Sequence, residues 1–349
     1  MIEIRTFEGD EQELSDFTLS IWRKWYAGKM PVPLWSPQYF RRELLCDGTR
    51  TYLVAAYDGK KIVGSHPMRP QRIWLRGAER DASWGSYLTV DPEYRRQGVA
   101  RLMQEEQERR HRERGVAVDF GYLYVRTARS MGRKFWLNAP AGTTRVRNMG
   151  TWGRALDHRT VAQFEYYWTE SWGARAFGLV QRPPKCPDLS GIRSYSPADL
   201  TACAELVRQR SLAVDLGYLW SDQELARFLQ FEDLSRTLVA EHEGRVAGLV
   251  NYFRLGFLGR REMPVGVIDF VVLDRLPRAM QVRLLRATLV QMQSEGLKAA
   301  MYLRGSWHAG SALWAAGFFP LPPEYIYIGT KMGVEVPLQG VKTIHAIWR

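Results

Sequence analysis

The strongest constraint on the fold is that the chain states one plan twice. Ile4-Arg5-Thr6-Phe7 opens the first copy, and Ile192-Arg193-Ser194-Tyr195 opens the second 188 residues later. A helical pattern follows each. Leu14, Phe17, Ile21 and Trp25 fall at helical spacing in the first copy, and the run from Leu200 to Val207 does so in the second. A hairpin comes next. Leu53-Val54-Ala55-Ala56-Tyr57-Asp58-Gly59 precedes Ile62-Val63-Gly64, and Leu238-Val239-Ala240-Glu241-His242-Glu243-Gly244 precedes Val246-Ala247-Gly248. Asp58-Gly59 and Glu243-Gly244 are turn chemistry between strands. Each copy then predicts a longer strand, at 82–90 and 265–273, a helix, and a buried strand, at 116–125 and 298–303. The closing helices end as Phe135-Trp136-Leu137 and as Ala312-Leu313-Trp314-Ala315-Ala316-Gly317-Phe318. Strands alternating with helices predict a mixed α/β sheet. The expected organisation is an N-terminal domain at 1–169, a connector at 170–190 carrying Pro183-Pro184 and Pro187, a C-terminal domain at 191–333 and a tail at 334–349.

Two domains suit 349 residues, and a hydrophobic share of 46% is ample for packed cores. The net charge of +12 and the pI near 9.7 fit an anionic ligand or an acidic partner, such as a carrier protein or peptide. Charge alone also permits nucleic acid, but no recognition motif accompanies it. The densest basic cluster, Arg109-Arg110-His111-Arg112-Glu113-Arg114, closes a predicted helix, where cations are favoured. Cys46, Cys186 and Cys203 are odd in number and lack metal-ligand spacing, so neither a disulfide framework nor a metal site is expected. Met1-Ile2-Glu3-Ile4-Arg5 is not a signal peptide, and no uncharged apolar run reaches the roughly 18 residues of a membrane span. A cytoplasmic protein is expected.

Chemistry is concentrated at Arg95-Arg96-Gln97-Gly98-Val99-Ala100. These residues follow the strand-like Ser86-Tyr87-Leu88-Thr89-Val90 and the turn Asp91-Pro92-Glu93-Tyr94, and they open a helix running to about Arg114. Strand, tight loop and helix form the setting in which backbone N–H groups hold a phosphate. Gly98 and Ala100 remove bulk, so an anion can approach the main chain. The spacing is neither that of a Walker loop nor the Gly-x-Gly-x-x-Gly of a dinucleotide fold.

Arg95, Gly98 and Ala100 match the Gln/Arg-x-x-Gly-x-Gly/Ala motif, and the second copy ends in the aromatic-x-x-Gly-Phe pattern. In both the chain resembles the GNAT superfamily of acyl-CoA-dependent N-acyltransferases. The resemblance covers nearly the whole chain. It implies two GNAT-like domains, each a mixed, mainly antiparallel sheet flanked by helices, with splayed fourth and fifth strands. It implies that main-chain groups around Leu88 and Val90 hold the pantetheine arm and thioester of acetyl-CoA or another acyl-CoA. Gln97, Gly98, Val99 and Ala100 would hold the pyrophosphate, with Arg95, Arg96 or Arg101 adding positive charge. The second copy has Asp274-Arg275-Leu276-Pro277-Arg278-Ala279-Met280 at this place, with no glycine. The C-terminal domain is therefore expected to be degenerate for CoA binding.

Acyl transfer also needs a base for the amine and an acid for the thiolate. The family often uses a carboxylate on the fourth strand, but Ser83-Trp84-Gly85-Ser86-Tyr87 holds none. Candidates for proton transfer are His66, Asp81 and Asp119. The family's usual helix tyrosine is replaced by Phe135 or Trp136. Tyr124 or Tyr122, on one face of the fifth strand, are substitutes. An aromatic mouth precedes these strands. There Trp22 and Trp25 are expected to pack in the core, and Trp35, between Pro33 and Pro37, to contact ligand. The expected activity is transfer of an acetyl or longer acyl group from acyl-CoA to a primary amine of a small molecule, an amino sugar or a peptide. The alternatives are a catalytically silent acyl-CoA- or partner-binding protein, and an acyltransferase drawing on an acyl carrier protein. No metal is expected.

Overall fold

A computed structural model describes residues 2–46, 48–85, 87–127, 130–137, 143–164, 172–173, 175, 184–185, 188–305 and 310–349. Ser86, Cys186 and most of the expected connector at 170–190 lie outside these residues. The first half runs β1 (Ile2–Thr6), α1 (Glu11–Tyr26), β2 (Val32–Leu34), α2 (Pro37–Glu43), β3 (Leu53–Asp58), β4 (Lys61–Pro67), β5 (Arg69–Leu75), β6 (Ala78–Trp84), β7 (Thr89–Val90), α3 (Val99–Glu113), β8 (Val118–Tyr124), α4 (Met131–Leu137), β9 (Thr143–Ala155) and α5 (His158–Phe164). The second runs β10 (Ile192–Ser194), α6 (Leu200–Leu212), β11 (Leu216–Leu219), α7 (Asp222–Leu229), β12 (Ser235–His242), β13 (Arg245–Leu258), β14 (Glu262–Val272), α8 (Arg278–Ser294), β15 (Ala299–Arg304), α9 (Ser311–Ala316), β16 (Phe319–Pro320), β17 (Tyr325–Lys331) and β18 (Ile344–His345). Among the described residues, no helix is long and apolar enough to cross a membrane.

Local chemistry accounts for the element ends. Asp10 accepts a hydrogen bond from the Glu13 amide and starts α1. Ser221 and Glu224 form a reciprocal capping box on α7. Gly59 takes a left-handed φ of 60° between β3 and β4. Between β12 and β13, Glu243 and Gly244 have φ of 53° and 73°, the backbone of a tight hairpin turn. Helices α3 and α8 pack on equivalent hairpins, α3 on β3 and β4, α8 on β12 and β13.

The strands form a mixed but mostly antiparallel system. One sheet has the order β1-β3-β4-β7. A far longer one runs β10-β12-β13-β14-β15-β9-β17-β8-β6-β5-β11-β18. The halves exchange strands within it. β17, from late in the chain, lies between β8 and β9, and β9 in turn pairs with β15. β11 pairs with β5. The expected strand at 82–90 is two strands in different sheets, β6 and β7. The break follows from anchoring: Tyr87 is fully buried, and its hydroxyl is 2.6 Å from that of Tyr39. This pulls the chain from β8 toward β4, where Gly64 and Ser65 pair with Val90 and Thr89. The tail at 334–349 folds inward, burying Val336, Leu338, Ile344, Ile347 and Trp348.

The two halves meet around buried charges. Arg42 on α2 contacts Asp269 on β14 at 3.0 Å. Arg349 reaches Asp269 at 2.6 Å and Glu43 at 2.8 Å. All four side chains have no exposed surface. Burial opposes the charge of Arg349, but Asp269 and Glu43 outweigh it and hold its pKa well above the ordinary value. Arg69, also buried, lies 4.0 Å from Glu43, so three guanidinium groups face these two carboxylates, with Phe228 beside all three and Phe253 beside Arg42 and Arg349. Removing one partner leaves an uncompensated buried charge, which costs about 3–5 kcal/mol. Asp269→Ala is expected to lose that much in urea unfolding; a loss below about 1 kcal/mol would show that the cluster does not hold the halves together.

Candidate active site

The loop between β7 and α3 is preset for an anion. Its entry is tied down by the Tyr94 hydroxyl, which donates to Asp58 at 2.9 Å, and by Lys61, 3.1 Å from Asp91. Arg96 and Gly98 both take left-handed φ, 64° and 79°. Alternation of this kind turns successive amides toward one side. Gly98 is the N-cap, and α3 begins at Val99. The amides of Val99, Ala100 and Arg101 sit in the first helical turn, which supplies no intrahelical partner, at the positive end of the dipole. A side chain at Gly98 would meet no atom within 4 Å, so the space in front of these amides is open. Val99 is buried beside Gly64, where any Cβ would come 2.8 Å from Met103. That close fit fixes the start of α3 on β4. Arg96 and Gln97 are exposed, and Arg101 pairs with Glu105 at 2.7 Å. Arg95 is instead drawn inward. Its guanidinium lies 3.9 Å over the Trp25 ring, and its Nη1 has no hydrogen-bond partner.

Below the loop the sheet opens. β6 and β8 are parallel partners only from Ala82–Val118 to Trp84–Phe120, and the Gly85 amide makes one further bond to the Phe120 carbonyl. Beyond that point the chain crosses to β7, and among the described residues no strand pairs with the freed edge of β8. A cavity of about 1340 Å³ passes through this opening. On one side, under α3 and α4, it is walled by Leu123, Ile328 and Trp136, with His66, Gln104 and Asp119 beneath. On the other it is walled by Trp22, Trp25, Tyr124, Tyr325 and Trp348, with Phe257 from β13. Trp22 fastens α1 to β7 through a 2.9 Å bond from Nε1 to the Thr89 hydroxyl. Trp22 and Trp25 therefore face the cavity as well as the core. Trp35 is 2% exposed; it touches the cavity but sits mainly in the core, 4.7 Å from the Trp22 ring.

The corresponding place in the second half is built differently. β14 and β15 are parallel partners from Val265–Ala299 to Ile268–Tyr302 and then part. The helix that follows is preceded by Pro277, which has no N–H. Leu276 is buried against Gly248, and the Gln281 side chain donates from Nε2 to the carbonyls of Leu273 and Leu276. Pro277, Arg278 and Ala279 open this helix at the surface, and no residue from 274 to 280 takes the left-handed backbone of Gly98.

Residues 11–135 match the acetyltransferase (GNAT) domain family. That segment, from α1 into α4, is a GNAT-type domain by its sequence. The fold is similar to that of Saccharomyces cerevisiae N-myristoyltransferase with bound myristoyl-CoA, at a TM-score of 0.74 and 12% identity over 94% of this chain and 82% of that one. A probable N-acyltransferase from Enterococcus faecalis V583 superposes at a TM-score of 0.55 and 12% identity, over 94% of this chain and 72% of that one. No curated protein matches the sequence.

The cavity sorts the proton-transfer candidates. His66 and Tyr124 line it; Asp81 is exposed on β6 and does not. Leu88, Val90, Arg95, Arg96, Gly98, Val99, Ala100 and Arg101 line it too, whereas Gln97 turns its side chain to the Glu93 carbonyl at 3.0 Å. Tyr122 is spent on the Ile347 carbonyl at 2.9 Å, and burial pushes its pKa up. Asp119 accepts at Oδ1 from the Ser83 hydroxyl, and the same oxygen lies 2.7 Å from His111 Nδ1, while Oδ2 has no hydrogen-bond partner. Phe135 and Trp136 face the cavity, but neither carries a proton acidic enough to protonate a thiolate.

Sequence reasoning missed one acid–base group. Glu324 lines the cavity beside the Tyr124–Tyr325 pair, and its Oε1 is 2.7 Å from Arg126. Burial raises its carboxyl pKa and outweighs the opposing pull of Arg126. No motif marks it, because it precedes a strand that comes from the far end of the chain.

Burial lowers the His66 pKa to about 4, with Asp119 pulling the other way. The unfolded ring takes up a proton near the ordinary value of about 6.5, so stability is complete above that pH. It is lost as pH falls toward 4, by on the order of 3 kcal/mol. NMR titration of the ring is expected to show it neutral down to about pH 4; a midpoint near 6.5 would contradict its burial.

Proposed function

We propose that the chain transfers an acyl group from acyl-CoA to a primary amine, with the first half binding the donor and the second walling the acceptor. The observation that carries this reading is the single cavity running from the α3 amides, through the opening beside β8, to Phe257 and Trp348. The diphosphate lies against the amides of residues 97–101. The pantetheine arm takes the place of a strand in the opening, where Leu88, Val90 and the β8 edge offer main-chain hydrogen bonds. A volume of about 1340 Å³ exceeds the usual 300–1,000 Å³ of small-ligand sites, and the apolar wall of Leu123, Ile328 and Trp136 suits a group longer than acetyl. The N-myristoyltransferase likeness supports a long-chain donor in the same way. We read the second half as a GNAT-like unit without CoA.

The amine enters from the aromatic side. Its nitrogen attacks the thioester carbonyl, the carbon–sulfur bond breaks, and CoA leaves as thiolate. Glu324 takes the amine proton and Tyr124 donates to the sulfur. Asp81 has no access. His66 is neutral and too weakly basic to take the amine proton at pH 7.

Calorimetry with free CoA and thiol release from acyl-CoA over a panel of amines test this reading. Gly98→Glu places a carboxylate where the diphosphate sits and is expected to weaken CoA binding by roughly 30-fold or more, about 2 kcal/mol. Arg278→Glu, at the second-half counterpart, leaves it unchanged. Glu324→Gln is expected to cut kcat/KM for amines by roughly 100-fold and to remove the loss of activity seen as pH falls through the Glu324 pKa. Binding without turnover across the panel would favour a silent acyl-CoA-binding protein.

A further inference from the structure

The cavity under α3 has a polar floor with unmet hydrogen-bonding capacity. Nδ1 of His66, Oε1 of Gln104 and Oδ2 of Asp119 have no hydrogen-bond partner. The three residues are 4%, 2% and 6% exposed, and all line the cavity. They come from β4, α3 and β8, three separate elements that line the same cavity. Facing them from neighbouring elements are Ser83, which donates to Asp119, and His111, whose ring also meets Gln107.

The remaining valences define what can sit there. Gln104 already donates to Glu108 at 3.0 Å, which leaves its carbonyl oxygen as an acceptor. The free oxygen of Asp119 is an acceptor. The neutral His66 ring offers a nitrogen of either role, by tautomer. The floor therefore asks for an O–H or N–H donor. A bare alkyl chain would leave these buried groups unpaired, at about 1–3 kcal/mol each. The wall above, Leu123, Ile328 and Trp136, is apolar. An apolar wall over a polar floor fits a chain that bears one hydrogen-bonding group.

Building on the acyl-CoA reading, we propose that the donor is a hydroxyacyl-CoA, whose hydroxyl is read by His66, Gln104 and Asp119. Gln104 is then a specificity-determining residue outside the proton-transfer machinery. The same donor chemistry could come from an amide N–H of the pantetheine arm, which every CoA ester shares, and the experiment separates the two.

The test compares free CoA, straight-chain acyl-CoA esters and hydroxyacyl-CoA esters of equal carbon number, hydroxylated at the second, third or terminal carbon. Binding is read by calorimetry and turnover by thiol release with one amine. The best hydroxyacyl ester is expected to exceed its deoxy counterpart in kcat/KM by roughly 100-fold or more. Gln104→Leu is expected to shrink that ratio at least tenfold and leave free-CoA affinity unchanged. Equal kcat/KM for the two esters in the wild-type protein would overturn the proposal, and this comparison needs no variant. A parallel loss of free-CoA affinity in Gln104→Leu would overturn it by assigning the floor to pantetheine. An equal loss with both esters would assign the floor to ordered water or to packing, and would also overturn it. Absence of free-CoA binding in the wild-type protein would overturn the donor reading itself.

Discussion

Everything in this molecule depends on two parallel strands that stop pairing. β6 and β8 share three residue pairs before the chain turns away at Gly85. The cost of leaving a strand edge unpaired in the interior is large unless something else meets its amides and carbonyls. Here the divergence is enforced from both sides. Tyr87 is sunk among Tyr39, Trp35 and Trp84, while β8 is held on its far edge by seven residue pairs with β17. Neither strand can close the gap, so the opening is permanent and a ligand with amide groups of its own can complete the sheet.

The second half makes that geometry rigid. Its β17 occupies the far side of β8, and its β15 and β14 continue the sheet beyond β9. The tail threads back so that Ile347 receives the Tyr122 hydroxyl and Arg349 joins the Arg42, Glu43 and Asp269 cluster. Asp269 stands directly after the last parallel pair of β14 and β15. The second parting of strands is thus occupied by charge pairs, and the first is left open.

Local chemistry in the sequence was legible where the decisive contacts are short-range. The paired hairpins, the left-handed Gly98 and the start of α3 all follow from residues a few positions apart. Arg96 and Gly98 both turn left-handed just before α3; the sequence marks Gly98 and Ala100 by their lack of bulk but gives no sign of the turn at Arg96. The break between β6 and β7 was not legible, because 82–90 reads as one continuous strand and the Tyr39–Tyr87 contact that breaks it spans 48 residues. The exchange of β9 and β17, the buried tail, and the placing of Glu324 beside β8 likewise come from pairing between distant segments. The polar floor belongs to the same class. His66, Gln104 and Asp119 look unrelated along the chain and line one cavity only when α3 folds onto β4 and β8.

The measurement that bears most directly on this account is a crystal structure of the protein with a non-transferable CoA thioether carrying a long alkyl chain. The account predicts the diphosphate at the amides of residues 97–101, the pantetheine arm between β7 and β8, and the alkyl chain under α3 and α4, with the second-half loop at 274–280 unoccupied. A thioether bound at that second loop, or a β8 edge closed by protein while the ligand lies elsewhere, would contradict it.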